Sequence, residues 1–453
     1  MIRIRLKNIR FSIIAAIVAA FSLANAQSAG TRISCKGGIS TVVERNNLID
    51  SYRINVGLKD AVVLPENGKL YLYAFQFGEK VLVDSTRIKN GRAVFKKKLK
   101  SGNNSQTGNF LQTGFFTIEG IESPPLLFGK SSDIALSCKG GNFKVDKSDE
   151  NKILWTLCNY PQKDLLFEIN GNFLARYFSF YNDLSSFSRS SAKTVTEFER
   201  ILKNFDFSDP RFCNSMHFDD MKSALGWYLS SDNFSSDEIA EIVDEILGCA
   251  AAGGKAQVHN YCRVLYDILL SSGDPQLEGA MLRIYDMYDR GWIPEGRQRS
   301  VKRQMERARR LSPGAVVPEL RAFDAEGKEH STNDIRSKYT ILWFWDPDCD
   351  HCQEETPVLH DFYSEKAEDL DFEVFAVEVN DDHERWRAFS EQHGLDDWVN
   401  LSTSMGEPNV DFIDYFDIVT TPVVVLVDNS KGGAIMARQI SLSEIKDIIE
   451  KQK

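Results

Sequence analysis

Beyond its first two dozen residues, the 453-residue chain has no apolar run approaching the roughly 20 residues needed to cross a bilayer, so a multispanning membrane protein is not expected. It also lacks positive charge. Asp and Glu number 65 against 54 Lys and Arg, a formal net charge of −11. Such a surface repels phosphate backbones, and a nucleic-acid partner is disfavoured. Low-complexity tracts are missing, and the composition is that of an ordinary globular protein with many phenylalanines, 29 in all. Cysteine is sparse at eight, and only Cys349 and Cys352 form a C-x-x-C pair. A structural zinc wants four ligands, so without a second such pair no metal is expected, and no motif asks for another cofactor.

The first residues set the compartment. Arg3, Arg5, Lys7 and Arg10 precede a short apolar stretch, Phe11 to Leu23, and Ala24-Asn25-Ala26 supplies small residues at a cleavage position. This is the pattern of a secretory signal peptide over residues 1–26, cleaved after Ala26. The first cysteine, Cys35, does not immediately follow the apolar run, so a lipid anchor is not expected. A soluble protein exported to a bacterial periplasm is the expectation.

Cys349-Asp350-His351-Cys352 follows the apolar run 339–345 and precedes a helix-like stretch containing Pro357. A strand that hands a cysteine to a helix N-terminus places its sulfur beside unpaired N–H groups and the positive end of the helix dipole, which favour a thiolate. A second sulfur three residues on can then close a disulfide ring and resolve a mixed disulfide. Downstream, Thr421-Pro422 stands directly before the strand-like run Val423 to Asp428, a setting that predicts a cis-proline.

On these residues the segment 314–453 resembles the TlpA/ResA-like branch of the thioredoxin superfamily, extracytoplasmic thiol-disulfide oxidoreductases. Gly314, Pro318, Asp324 and Gly327 match the opening Gly, Pro, Asp, Gly pattern of that branch, and Glu355 and Pro357 stand six and eight residues after the first cysteine. The resemblance implies that Cys349 and Cys352 are catalytic. It further implies that Pro422 packs beside them and that Thr421 offers its backbone to an extended substrate segment. It gives Glu355 the role of proton acceptor and donor. Thioredoxin itself uses a buried aspartate six residues before the first cysteine, and here that position is Trp343. Asp350 and His351 are expected to tune the couple in opposite directions, the imidazolium favouring the thiolate and the carboxylate opposing it. The direction of electron flow therefore does not follow from the residues, and a reductase follows from the resemblance alone. The implied partners are disulfide-containing proteins and a membrane electron donor. Two other classes stay open. A thiol peroxidase would want a threonine three residues before its attacking cysteine, where this chain has Asp346. A non-catalytic binding module would keep the scaffold without the exchange.

The expected fold is multidomain: an all-β sandwich over residues 27–149, an α-helical bundle over 150–312, and an α/β thioredoxin-like domain over 313–453. Asn67-Gly68 and Asn90-Gly91 lie between apolar runs and predict hairpins. The run Lys96-Lys97-Lys98 reads as a solvated edge strand, with an anionic-ligand patch as the alternative. Ile239, Ile242, Val243, Ile246, Leu247 and Ala250 form a helical stripe behind a Ser235/Glu238 capping box. Similar stripes occupy Val258 to Leu265 and Leu277 to Tyr288. A basic helix follows, with Arg307, Arg309 and Arg310 near its end, and reads as a solvated linker helix, with docking to an acidic partner or to the chain's own acidic domains as the alternative. The upstream domains are expected to select substrates or to hold a homodimer. Six cysteines outside the motif allow fifteen pairings, with Cys249 and Cys262 placed for buried free thiols.

Overall fold

The structure, a computed structural model, describes residues 51–59, 68–98, 113–118, 121–123, 125–128, 131–139, 142–147, 151 and 173–451. The expected signal peptide, Cys35, Asn67 and Cys158 lie outside the described residues. Among those described, no helix is long and apolar enough to cross a membrane.

The first part of the chain is a β-sandwich. One sheet has the order β4-β1-β8-β9, with β1 Ser51–Lys59, β4 Arg92–Lys98, β8 Ser131–Lys139 and β9 Asn142–Lys147. The other has the order β3-β2-β5-β6, with β2 Lys69–Gln76, β3 Glu79–Arg87, β5 Thr113–Ile118 and β6 Ile121–Glu122; β7, Leu126–Leu127, pairs with β5. Alternating residues of both sheets, including Ile54, Val56, Phe95, Leu136, Leu72 and Phe116, close into one core. The Asn90-Gly91 turn forms with positive φ at both residues, 49° and 66°. It is nonetheless not a hairpin, because β3 and β4 belong to different sheets and only Lys89 and Arg92 bridge across it. The turn residues fix the local bend, whereas the shared core decides which sheet each strand joins. The lysine-bearing β4 lies on a sheet edge, where unpaired backbone needs protection from association.

The middle of the chain is helical: α1 Phe173–Arg189, α2 Val195–Leu202, α3 Pro210–Cys213, α4 Phe218–Tyr228, α5 Ser236–Ala251, α6 Lys255–Ser272 and α7 Glu278–Met287. The Ser235/Glu238 capping box opens α5, and the whole predicted stripe of that helix is buried. Gly273, in the left-handed region at φ 69°, ends α6. Phenylalanine supplies much of this core: Phe187, Phe198, Phe205, Phe207 and Phe212 all pack within it. Cys213 and Cys262 are buried free thiols, as expected for Cys262, but Cys249 is disulfide-bonded.

The chain divides into two compact units, the first ending at Ala280 and taking in 287–292, the second holding 281–286 and everything from Ile293 onward. The basic helix α8, Gln298–Arg310, thus packs with the C-terminal unit. Leu311, at its end, is buried in the same core as Phe412 and Phe416. Two guanidinium groups of α8 are engaged as well: Arg307 Nη1 lies 2.6 Å from Asp417 Oδ2, and Arg310 donates to the Asp414 carbonyl at 2.8 Å.

The C-terminal unit is built on a seven-stranded sheet of order β11-β10-β14-β13-β12-β15-β16, with β10 Arg321–Phe323, β11 Glu329–Ser331, β12 Tyr339–Trp345, β13 Phe372–Glu378, β14 Val399–Ser402, β15 Val423–Asp428 and β16 Ala434–Arg438. The central β12 is buried along its whole length, running parallel to β13 and antiparallel to β15. A strand covered on both faces favours apolar residues at nearly every position, which explains the 339–345 run; the hydroxyl of the buried Thr340 accepts from the Asn429 side chain at 2.8 Å. Ile341, Trp343 and Trp345 face one core together with Leu359 and Phe362 of α9, Asp350–Leu370, Trp386 of α10, His383–His393, and Ile445 of α12, Leu442–Lys451. Leu342 and Phe344 face the other core, closed by α11, Phe412–Phe416.

Candidate functional site

β12 ends at Trp345, and Asp346-Pro347-Asp348 turn the chain from the sheet into α9. Asp346 ties this turn together, its carboxylate accepting from the Asp348 N–H at 2.8 Å and its carbonyl from the Cys349 N–H at 3.1 Å. The Gln353 side chain donates to the Pro347 carbonyl at 2.7 Å. Cys349 is the N-cap residue of α9, with extended φ −84° and ψ 122°, and its carbonyl takes the first helical hydrogen bond from the Gln353 N–H at 3.0 Å. The sulfur therefore lies at the positive end of a 21-residue helix, beside N–H groups that have no partner within it.

The second half of the site comes from the other end of the unit. Asp417, left-handed at φ 55°, closes α11, and the chain continues to a cis peptide bond between Thr421 and Pro422. The Cys349 thiol donates to the Thr421 carbonyl at 3.1 Å. Side-by-side pairing of β12 with β15, Phe344 opposite Val423, brings these two segments together.

The two sulfurs differ in environment. Cys349 is half-buried and Cys352 is fully buried. Burial alone would raise the Cys349 pKa, but hydrogen bonds from the Thr421 side chain and from the Cys352 and His351 backbone N–H groups outweigh it, so the net shift is downward. At Cys352 burial prevails, and its pKa is pushed up to about 12. One sulfur is poised to ionise and the other is held as a thiol. Asp350 and His351 are exposed on the first turn of α9. Glu355 is exposed one helical turn beyond Cys352. The structure thus brings Cys349, Cys352, Thr421 and Pro422 together, with Asp350 and His351 at their rim and Glu355 facing solvent. Trp343, in the position of the missing aspartate, donates its indole N–H to Thr356 at 3.1 Å.

Residues 337–433 match the thioredoxin-like family Thioredoxin_8. The C-terminal unit contains a thioredoxin-like domain. Over 126 residues the chain is 25% identical to the thiol-disulfide oxidoreductase ResA of Bacillus subtilis, a match covering 28% of this chain and 66% of that protein, just under two thirds of its length. A solved domain of a possible thiol-disulfide isomerase from Cytophaga hutchinsonii is 32% identical, with 31% of this chain and 93% of that one covered and a TM-score of 0.29. A thioredoxin-like protein from Bacteroides caccae is 14% identical, with 55% and 89% covered and a TM-score of 0.42.

Sequence reasoning missed a buried carboxylate of the thioredoxin-like domain. Glu378, the last residue of β13, stands in register with Trp345 and is fully buried. Its carboxylate accepts from Ser402 Oγ at 2.6 Å and from the Asn380 and Asp382 N–H groups at 2.5 and 3.4 Å. Burial raises its pKa against these hydrogen bonds. Glu378 thereby pins the segment that leads into α10, at the sheet end from which Cys349 emerges. The available signal was a lone carboxylate inside the apolar run Val374-Phe375-Ala376-Val377-Glu378-Val379.

Proposed function

We propose that the chain is a thiol-disulfide oxidoreductase working outside the cytosol, with Cys349 as nucleophile and Cys352 as resolving thiol. The observation that carries this reading is the asymmetry of the pair: a half-buried sulfur with a lowered pKa at a helix N-terminus, and three residues later a buried one held near 12. Oxidoreductase and isomerase names among the relatives support the reaction class, and the N-terminal leader pattern supports export.

In the reducing direction, the Cys349 thiolate attacks one sulfur of a protein disulfide lying along Thr421-Pro422. A mixed disulfide forms, and the first substrate sulfur leaves as a thiolate. Cys352 then loses its proton and attacks Cys349 Sγ, closing the Cys349–Cys352 disulfide and releasing the second substrate sulfur. Two electrons pass to the substrate. The reading assigns the Cys352 proton to Glu355 and the tuning of the couple to Asp350 and His351. A dithiol donor at the membrane returns the electrons, and the β and helical layers select clients or hold a dimer.

Insulin disulfide reduction followed by turbidity tests the reading. Wild-type chain with a dithiol donor is expected to accelerate precipitation, and Cys349→Ser to return it to background. Peroxide consumption without insulin reduction would favour a thiol peroxidase, and neither reaction would favour a binding module. The reduction potential of the couple then decides direction. A value near −270 mV marks a reductant and one near −120 mV an oxidant.

A further inference from the structure

The turn that delivers Cys349 is crowded with carboxylates: Asp346 and Asp348 precede the sulfur and Asp350 follows it. Negative charge beside a thiol opposes its ionisation. A cation reaches this turn from outside it. Arg385, in the first turn of α10, forms an ion pair between its Nη1 and the Asp348 carboxylate, and its Nε lies 3.5 Å from Asp382. Asp346 also attracts the guanidinium. The arginine is held from behind. Asp382 is the N-cap of α10 and accepts from the Arg385 N–H at 3.1 Å, while the Asp382 N–H points to the buried Glu378 carboxylate at 3.4 Å.

We propose that Arg385 is a positioning residue for the nucleophile: by pairing with Asp348 it cancels the carboxylate adjoining Cys349 and offsets that carboxylate's opposition to the thiolate. The charged and titratable groups on the segments that meet at this turn are Asp346 and Asp348 before the sulfur, Asp350, His351 and Cys352 after it, and Asp382 and Arg385 at the start of α10. Arg385 is the cation of this set that stays charged at every pH of interest. The inference rests on Cys349 being the attacking sulfur, but its test needs no substrate disulfide.

The test is the pH profile of Cys349 alkylation by iodoacetamide in the reduced full-length chain, with labelling at that residue read by mass spectrometry. Arg385→Ala is expected to raise the midpoint by about half a pH unit, which makes alkylation about threefold slower on the rising limb. Asp348→Asn is expected to lower the midpoint by a similar amount, and the double variant to return close to wild type. Arg385→Lys retains the charge and is expected to keep the wild-type midpoint. Because both partners are exposed, the Arg385→Ala shift is expected to shrink in about 1 M salt, where the screening length falls to about 3 Å. An unmoved midpoint in Arg385→Ala, or upward shifts in both single variants, overturns the proposal. Insulin left unreduced by a wild-type chain that shows these shifts would instead remove the exchange reading and leave the charge pairing intact.

Discussion

Cys213 and Cys262 in the helical layer and Cys349 in the thioredoxin-like domain are the same residue in three settings. The first two are fully buried, and burial pushes each thiol up to about 12. At Cys213 a Gln257 amide 3.6 Å away does not offset this cost. Cys349 also suffers desolvation, yet its pKa falls, because backbone N–H groups of a helix start and the Thr421 side chain hydrogen-bond its charged form. Cys352 lies only three residues away and behaves like the helical-layer thiols, at about 12. The lowered pKa here therefore comes from hydrogen-bond donors aimed at the sulfur rather than from proximity to a motif.

Selective alkylation of the native, reduced chain breaks or confirms this contrast with the largest effect. At pH 7 a thiol with a pKa of about 12 is ionised to about one part in 10⁵, so Cys213, Cys262 and Cys352 are expected to remain unlabelled while Cys349 reacts. The Cys349 rate is expected to rise with pH and to level off below the 9.0 of an ordinary thiol. The sign follows from the lowered pKa: thiolate is lost as pH falls through the shifted value, not through the ordinary one. Labelling of Cys213 or Cys262 as fast as Cys349 would erase the distinction between the two regions.

The same contrast explains what the sequence made legible. The apolar run 339–345, the C-x-x-C and Thr421-Pro422 are local patterns, and each constrains its neighbours through backbone chemistry: burial on both faces, a helix start, a cis bond. Their meeting was legible from the family resemblance, whose domain the comparisons bear out. The α5 stripe was legible for the same local reason, since its period and its capping box lie within one helix. Which sheet β3 and β4 join was not, because the Asn90-Gly91 turn is compatible with either outcome and the choice belongs to the shared sandwich core. The place of Glu378, a lone carboxylate in an apolar run, and of Arg385 in the site was illegible too. Their positions near the site depend on the register of β13 against β12 and on the turn into α10, neither of which a linear spacing encodes.

A core substitution in the helical layer sharpens the comparison at intermediate size. Phe198 is fully buried, with its ring centroid 5.2 Å from that of Phe187 and 5.1 Å from that of Tyr228. Phe198→Ala is expected to cost about 3–5 kcal/mol of stability, the usual range for emptying a buried aromatic site. The alkylation midpoint of Cys349 is expected to stay where it is, because none of the groups that set it belongs to that layer. Chemical denaturation with the pH profile measured alongside checks both halves, and a displaced midpoint would show that the two regions are coupled.

The smallest effect is expected where α8 meets the end of α11. Arg307 and Asp417 are each about a third exposed and 2.6 Å apart, and Arg310 lies 4.5 Å over the Tyr415 ring. Asp417 precedes Thr421 by four residues, so this contact fixes the root of the segment whose carbonyl meets Cys349. Solvent screens such a pair, and its worth is modest, of the order that changes a rate constant about threefold. Arg307→Ala is expected to lower kcat/KM for a protein disulfide by about that factor while leaving the alkylation midpoint unmoved, since no charge next to the sulfur changes. Asp417→Asn should match it. Because both substitutions remove one shared contact, the double variant should be no worse than either alone. A double variant whose loss equals the product of the two single losses would mean that Arg307 and Asp417 act separately, and that the basic helix does not brace the site.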